Sequence, residues 1–119
     1  MRAWFIVATG GAAGAAARWG VGELIGTDPD RFPWATFLVN VVGCTLIGLA
    51  ARRIARGTDA WLGLVVGGLG GLTTFSAFAV ETRLLLAADR PLTALVYVAA
   101  TMVVGIGATE LARAGGTAP

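Results

Sequence analysis

Polar side chains interrupt several apolar stretches of this sequence, where each could contribute to binding a small ion. Thr36 and Asn40 are four residues apart, so a helix would place them on one face. An asparagine amide carries two N–H donors and one carbonyl acceptor, and Asn40 can therefore replace water around an anion. The same amide can instead form an inter-helix hydrogen bond that holds two chains together. Spacing alone leaves both interpretations open.

A second group of candidate residues follows the Thr73-Thr74 pair. Phe75, Phe78 and Glu81 recur at three-residue intervals and share one helix face. The edge of an aromatic ring is electropositive, so two rings presented edge-on can attract a dehydrated anion. Two phenylalanines in a membrane helix can equally be ordinary packing residues. Glu81 continues the same face, and the usual interpretation is that it snorkels or pairs with Arg83.

Two further features could complete an ionic pathway. Tyr97 and Thr101 are four residues apart and can line a polar track, or bond neighbouring helices together. Arg18 lies towards the end of an apolar stretch, where it can draw anions into a vestibule or snorkel to the boundary. The sequence lacks the His, paired carboxylates and nucleophile motifs that catalysis would need, so we predict no enzyme activity.

The composition indicates that lipid is the solvent of this chain. Of its 119 residues 56% are hydrophobic and only 13% are charged, against about 25% charged in a soluble domain, and the mean hydropathy is +0.77. The net charge is +2, and every cation is an arginine. These arginines form no block of five, which argues against a nucleic-acid partner. Cys44 is the single cysteine and is expected to be a small packing residue.

Four apolar stretches must position these side chains. They cover approximately residues 4–25, 33–51, 61–88 and 91–112, and about 20 residues suffice for a membrane crossing. The first continues past Arg18 and is interpreted as a retained helix rather than a signal peptide. The sequence therefore predicts an all-α membrane protein in which residues 1–119 form a single four-helix transmembrane domain.

The third stretch is long for one crossing and contains four glycines near its middle. Thr73, Thr74 and Ser76 follow directly, and their hydroxyls can bond backbone groups that a helix break would free. Such a break is tolerated in lipid only when it is buried in protein or lines a cavity. The alternative is close helix packing, because Gly63, Gly67 and Gly71 fit the GxxxG pattern. Spacing does not decide between a break and packing.

The arginines give little information on orientation. With four crossings, one side of the membrane would carry five arginines and the other side four, which is almost no bias. The first set is Arg2, Arg52, Arg53, Arg56 and Arg113, and the second is Arg18, Arg31, Arg83 and Arg90. The chain could insert both ways and pair antiparallel, or could keep one weakly biased orientation.

Three motifs in order resemble those of the Fluc fluoride channels, also called the CrcB family. Residues 10–18 are similar to the glycine, alanine and arginine pattern of the family's first helix, and residues 36–43 to its asparagine motif. Residues 67–81, GGLGGLTTFSAFAVE, resemble the signature GxxGGxTTFSTFxxE. Ala77 stands where the signature usually has threonine, and Gly105 where a hydroxyl often continues the polar track, so this chain lacks a hydroxyl at both positions.

The resemblance implies an antiparallel, dual-topology homodimer with two fluoride pores and a third helix broken mid-membrane. It implies that a structural Na⁺ lies at the dimer interface, with the backbone carbonyls of Gly70 and Thr73 as ligands. It also implies Arg18 at the vestibule and Glu81 as the acidic end of the signature. The residues expected along the pore are Asn40, Phe75, Phe78, Thr36, Ser76, Tyr97 and Thr101.

The resulting expectation is a multi-pass channel of the prokaryotic plasma membrane that exports fluoride passively, with lipid and a second copy as its partners. One alternative is a small proton-coupled multidrug transporter. That class needs an acidic residue in the middle of its first helix, whereas Glu23 lies near the end of the first stretch. The other alternative is a non-transporting membrane assembly protein, in which Asn40 and the glycines hold helices together.

Overall fold

The computed structural model describes residues 1–115, and this part of the chain is helical with short connections. Helix α1 is followed by α2, a π-helical segment, a short α3, and then α4 and α5. Their bounds are Arg2–Ile25 (α1), Trp34–Arg53 (α2), Trp61–Leu69 (the π-helical segment), Gly70–Leu72 (α3), Phe75–Ala87 (α4) and Pro91–Ala114 (α5).

Three stretches combine the length and the apolar composition of a membrane span. They are Trp34–Arg53, Trp61–Ala87 and Pro91–Ala114. Helix α1 has 24 residues, and at 1.5 Å per residue it is long enough to cross a bilayer. Its glycine-rich and charge-bearing sequence is less apolar than the other three stretches, so a fourth span remains a prediction. The architecture is that of a multi-pass helical membrane protein.

The outer surface is apolar where a soluble protein would be polar. Large hydrophobic side chains such as Leu24, Val103 and Leu111 are more than two-thirds exposed on the isolated chain. Buried hydrophobic side chains are few, and four of them form the main cluster: Phe78, Leu85, Ala94 and Tyr97. The chain measures 46 × 38 × 21 Å, so it is about two helices thick. Lipid or a protein partner must cover these exposed faces.

Glycines allow α1 to pack directly against the π-helical segment and α3. A Cβ atom on Gly14 would overlap the carbonyl oxygen of Gly68 and lie 2.7 Å from the Leu72 nitrogen. A Cβ on Gly67 would lie 2.6 Å from the Val7 carbonyl oxygen. The two backbones approach this closely only because side chains are absent. The glycines therefore have the close-packing role that the GxxxG pattern indicated.

Small residues also join α2 to α5. A Cβ on Gly48 would lie 2.5 Å from the Thr109 carbonyl oxygen, and the Thr109 hydroxyl donates to the Cys44 carbonyl at 3.1 Å. Cys44 thus packs where α5 passes closely, as expected for a small packing residue. Helix α1 thus packs on the π-helical segment and α2 packs on α5, while α4 lies against α5 and also contacts α2.

Candidate functional site

The helical path that starts at Trp61 is interrupted after Leu72. Thr73 and Thr74 both have extended backbones, with φ/ψ of −77°/153° and −147°/122°, and α4 begins at Phe75. The glycines before them stay helical, since Gly70 has φ −62° and ψ −37°. The backbone therefore departs from the helix at the two threonines and not within the glycine cluster.

The side chain of Asn40 binds both backbone groups of Thr74. The Thr74 N–H donates to Asn40 Oδ1 at 2.8 Å, and Asn40 Nδ2 donates to the Thr74 carbonyl at 3.0 Å. This pair of bonds replaces those that a continuous helix would supply at Thr74. An amide nitrogen carries two N–H groups, so one N–H of Asn40 remains beyond the bond to Thr74.

Thr74 also begins α4 with its own hydroxyl. Its Oγ1 accepts a hydrogen bond from the Ala77 N–H at 3.1 Å, which is the normal arrangement of an N-terminal helix cap. The Ser76 hydroxyl lies 3.2 Å from the same oxygen. Ser76, a predicted pore residue, thus contacts the Thr74 hydroxyl that caps the start of α4.

Two carbonyls next to the interruption lose the donors that a continuous helix would give them. In an α-helix, the N–H of Thr74 would bond Gly70 O, and the N–H of Ala77 would bond Thr73 O. Both N–H groups are instead bonded to side-chain oxygens, those of Asn40 and Thr74. The two carbonyls without their helical donors belong to Gly70 and Thr73, the predicted cation ligands.

Arg18 reaches from α1 to the backbone beside the interruption. Its Nε donates to the Gly71 carbonyl at 3.2 Å, and the contact is partly buried. The guanidinium therefore satisfies a third carbonyl of this segment instead of extending freely to the membrane boundary. It also lines a cleft of about 310 Å³ together with Thr36 and Thr74, which places a positive charge beside an open space.

Glu81 is held by two hydroxyl groups from neighbouring helices. Thr36 Oγ1 on α2 donates to Glu81 Oε1 at 2.6 Å, and the Tyr97 hydroxyl on α5 donates to Oε2 at 2.7 Å. Within residues 1–115 its partners are these hydroxyls, and Arg83 forms no ion pair with it. Of the two interpretations of Glu81 taken from the sequence, snorkelling or pairing with Arg83, the pairing is not found in this part of the chain, because the carboxyl group turns between α2 and α5.

Phe75 and Phe78 lie close together but face different surroundings. Their ring centroids are 5.7 Å apart, and the planes are tilted by 45°. Phe78 is buried against Tyr97, with a centroid separation of 5.2 Å, whereas 75% of Phe75 is exposed on the isolated chain. The pair thus runs from the packed interior to an open face of the molecule.

Thr101 carries a buried hydroxyl without a hydrogen-bond partner in residues 1–115. Buried polar atoms are almost always satisfied, so an orphaned hydroxyl is a candidate partner for a water or an ion. Thr101 lies one helical turn from Tyr97 on α5. The structure therefore leaves one free hydroxyl on the predicted polar track, while the hydroxyls of Thr36 and Tyr97 are directed at Glu81.

A second, larger cleft lies at the end where α1 leads into α2. Its volume is about 600 Å³, and Glu81, Phe32, Trp34 and Arg31 are among its lining residues. Phe32 packs edge-on against the Tyr97 ring with a centroid separation of 5.3 Å. The ring of Tyr97 is thereby wedged between Phe32 and Phe78 while its hydroxyl stays on Glu81.

Sequence reasoning expected the Thr74 hydroxyl to bond freed backbone groups, as it does with the Ala77 N–H, but did not identify Thr74 as the residue that connects the site. Thr74 bonds Asn40, Ala77 and Ser76. A signal was available: a threonine directly before a helical run is a preferred N-cap. Its pairing with Asn40 spans 34 residues of sequence and follows only from the fold.

The fold and the site define a small multi-pass membrane protein in which amide, hydroxyl and aromatic groups gather around a helix interruption. Residues 5–113 match the family described as CrcB-like protein, Camphor Resistance (CrcB). The chain belongs to this family, and it is a multi-pass protein of the prokaryotic cell membrane.

Curated relatives carry more specific names. The chain is 46% identical to "Fluoride-specific ion channel FluC 2" of Streptomyces avermitilis over 82% of its own length and 64% of the relative's. It is 46% identical to a protein of the same name from Rhodococcus jostii, over 89% of this chain and 91% of the relative. The Thermus thermophilus relative, "Fluoride-specific ion channel FluC", is 41% identical over 89% of this chain and 88% of the relative. These names describe ion channels, and the protein is not an enzyme.

Proposed function

We propose that this protein is a fluoride-selective channel through which cytoplasmic fluoride leaves a prokaryotic cell passively. The names of the relatives support fluoride as the ion. The observation that carries the proposal within the chain is the remaining N–H of Asn40, beside the interruption that begins at Thr73. A rigid donor at an opening in the backbone is suited to a small anion.

Fluoride is small and strongly hydrated, so a selective pathway must replace its water with hydrogen-bond donors and positive edges. Asn40 is fixed by its two bonds to Thr74, so its free N–H needs little reorganisation to meet an ion. The ring edges of Phe75 and Phe78 add weak positive potential. Weak groups of this kind let the ion leave again, which conduction requires.

Two copies of the chain are proposed to pair antiparallel and to form two pores. Phe75 is exposed on the single chain, and a second copy would bury it next to the interruption. The slab-like dimensions and the apolar outer faces leave room for such an interface. The nearly equal numbers of arginines on the two predicted sides permit both orientations.

A central Na⁺ between the two copies is part of the proposal. Gly70 and Thr73 fit as ligands because the usual donors to their carbonyls are diverted, and hard cations prefer oxygen ligands. A bound cation would supply fixed positive charge that offsets the cost of desolvating an anion nearby. Carbonyls from both copies would have to enclose it, since an unshielded charge inside a membrane is costly.

The remaining polar residues are assigned by their contacts. Arg18, beside its cleft, is proposed to raise the local concentration of anions at the entrance. Thr101 offers an unpaired hydroxyl along the polar track. Thr36 and Tyr97 orient Glu81, and an anion could draw on their hydroxyl hydrogens only in competition with that carboxyl group.

Efflux from liposomes tests the function directly. Vesicles that contain the purified protein and potassium fluoride should release fluoride rapidly once a potassium ionophore is added, without a proton gradient. Chloride-loaded vesicles should release little. Release that requires a proton gradient would indicate a coupled transporter, and release of neither ion would indicate an assembly protein; either result would overturn the channel.

A further inference from the structure

The two bonds that divert helical donors at the interruption share one residue, Thr74. Its N–H is taken by Asn40 Oδ1 at 2.8 Å, and its hydroxyl takes the Ala77 N–H at 3.1 Å. In a continuous α-helix the Thr74 N–H would donate to Gly70 O, and the Ala77 N–H would donate to Thr73 O. The two observed bonds divert these donors. Both carbonyls proposed as cation ligands are therefore freed by side chains of this small network.

We infer that Asn40 is a positioning residue for the cation site, acting through Thr74, in addition to being a donor to the anion. The inference rests on the proposed function and deepens it. Asn40 Nδ2 also holds the Thr74 carbonyl at 3.0 Å, so the amide fixes the orientation of Thr74 from both sides. One side chain thereby connects the anion path to the carbonyls that face the cation.

Removing either link should let a backbone N–H return to its helical carbonyl. In Asn40→Leu the side chain keeps a similar size but cannot accept from the Thr74 N–H, which then competes for Gly70 O. In Thr74→Val the methyl group replaces the hydroxyl, and the Ala77 N–H is released towards Thr73 O. Thr74→Ser is the matched control, because it retains the hydroxyl and hence both bonds.

The measurement is equilibrium binding of radioactive Na⁺ to the purified full-length protein in detergent, independent of fluoride flux. Loss of groups that orient metal ligands typically weakens metal binding roughly 10- to 100-fold. We expect weakening of that size in Asn40→Leu and Thr74→Val, and wild-type affinity in Thr74→Ser. Helical circular dichroism and gel filtration identify the folded fraction, to which each affinity is normalised.

The outcomes separate this inference from the proposed function. Wild-type Na⁺ affinity in Asn40→Leu would overturn the inference and leave the proposed cation site standing, whatever the affinity of Thr74→Val. A wild-type protein that binds no Na⁺ would overturn both. If Asn40→Leu fails to fold, Asn40→Ala, which also lacks the acceptor for the Thr74 N–H, decides in its place.

Discussion

The hydrogens of the polar side chains at this site are mostly committed to protein acceptors, and this limits what each can offer an ion. Thr36 and Tyr97 donate to Glu81, and one N–H of Asn40 donates to Thr74. Within residues 1–115, the Thr101 hydroxyl has no partner, and the amide nitrogen of Asn40 carries a second N–H beyond its bond to Thr74. The chemistry of the site therefore depends on few groups, and single substitutions should have distinct effects.

Replacement of Asn40 by aspartate should abolish fluoride flux. Aspartate retains an oxygen for the Thr74 N–H, but its second oxygen replaces the Nδ2 that donates to the Thr74 carbonyl and places negative charge where the free N–H had been. Two like charges roughly 4 Å apart repel by about 4 kcal/mol at the effective dielectric of a partly solvated site, which corresponds to a loss of about a thousandfold in rate. Fluoride efflux from liposomes measures this, and unchanged efflux would place Asn40 outside the pathway.

Replacement of Phe75 or Phe78 by isoleucine should lower fluoride flux, because an aliphatic side chain lacks the electropositive edge. An edge–anion contact comparable in energy to an aromatic pair, up to about 1.5 kcal/mol, corresponds to a loss of about tenfold. The exposed Phe5 of α1 provides the control, since Phe5→Ile removes a ring far along the chain from the interruption. Efflux rates should fall in the first two variants only. Wild-type rates in both would remove the aromatic contribution.

Sequence spacing predicted which residues share a helix face but not the bonds they make. Thr36 and Asn40 do share a face of α2, as the four-residue spacing requires. Their partners, Glu81 and Thr74, lie 45 and 34 residues away, and contacts of that range depend on how whole helices pack. The same limit explains why the sequence offered only snorkelling or nearby Arg83 for Glu81, whereas in the fold Glu81 accepts hydrogen bonds from Thr36 and Tyr97.

At the scale of the helices, the apolar composition was enough to predict where the helical stretches lie. Runs of apolar residues predicted the helical stretches because a chain in lipid must satisfy its backbone internally. The π-helical backbone of Trp61–Leu69 was not predicted, since nothing in the residue types distinguishes it from an α-helix. The glycine cluster left packing and interruption open, and the structure shows the glycines in packing and the extended backbone at Thr73 and Thr74.

The contact between α1 and the π-helical segment should be intolerant of a single methyl group. Gly14→Ala would press a Cβ into the backbone of Gly68 and Leu72, and overpacking of this kind costs about 1–3 kcal/mol. Gly20→Ala, in the same helix, meets no heavy atom of residues 1–115 within 4 Å and should be neutral or stabilising by about 1 kcal/mol. Thermal unfolding in detergent compares them, and equal midpoints would contradict the packing.

For the whole molecule, the proposed antiparallel dimer requires that both orientations occur. A cysteine introduced at the exposed Thr27, in a Cys44→Ala background, reports the location of the connection between α1 and α2. A membrane-impermeant maleimide should label part of the population in intact spheroplasts and the rest only after permeabilisation. Complete labelling before permeabilisation, or none, would show a single orientation and exclude antiparallel pairing.

The central claim is that an anion crosses this membrane protein by exchanging water for the Asn40 amide and aromatic edges, which only a small, strongly hydrated ion can use well. The most direct test is the reversal potential of current through the protein in a planar bilayer, with fluoride and chloride gradients set in opposite directions. The account predicts that the reversal potential follows the fluoride gradient and ignores chloride. A reversal potential that follows chloride, or falls midway between the two, would contradict it.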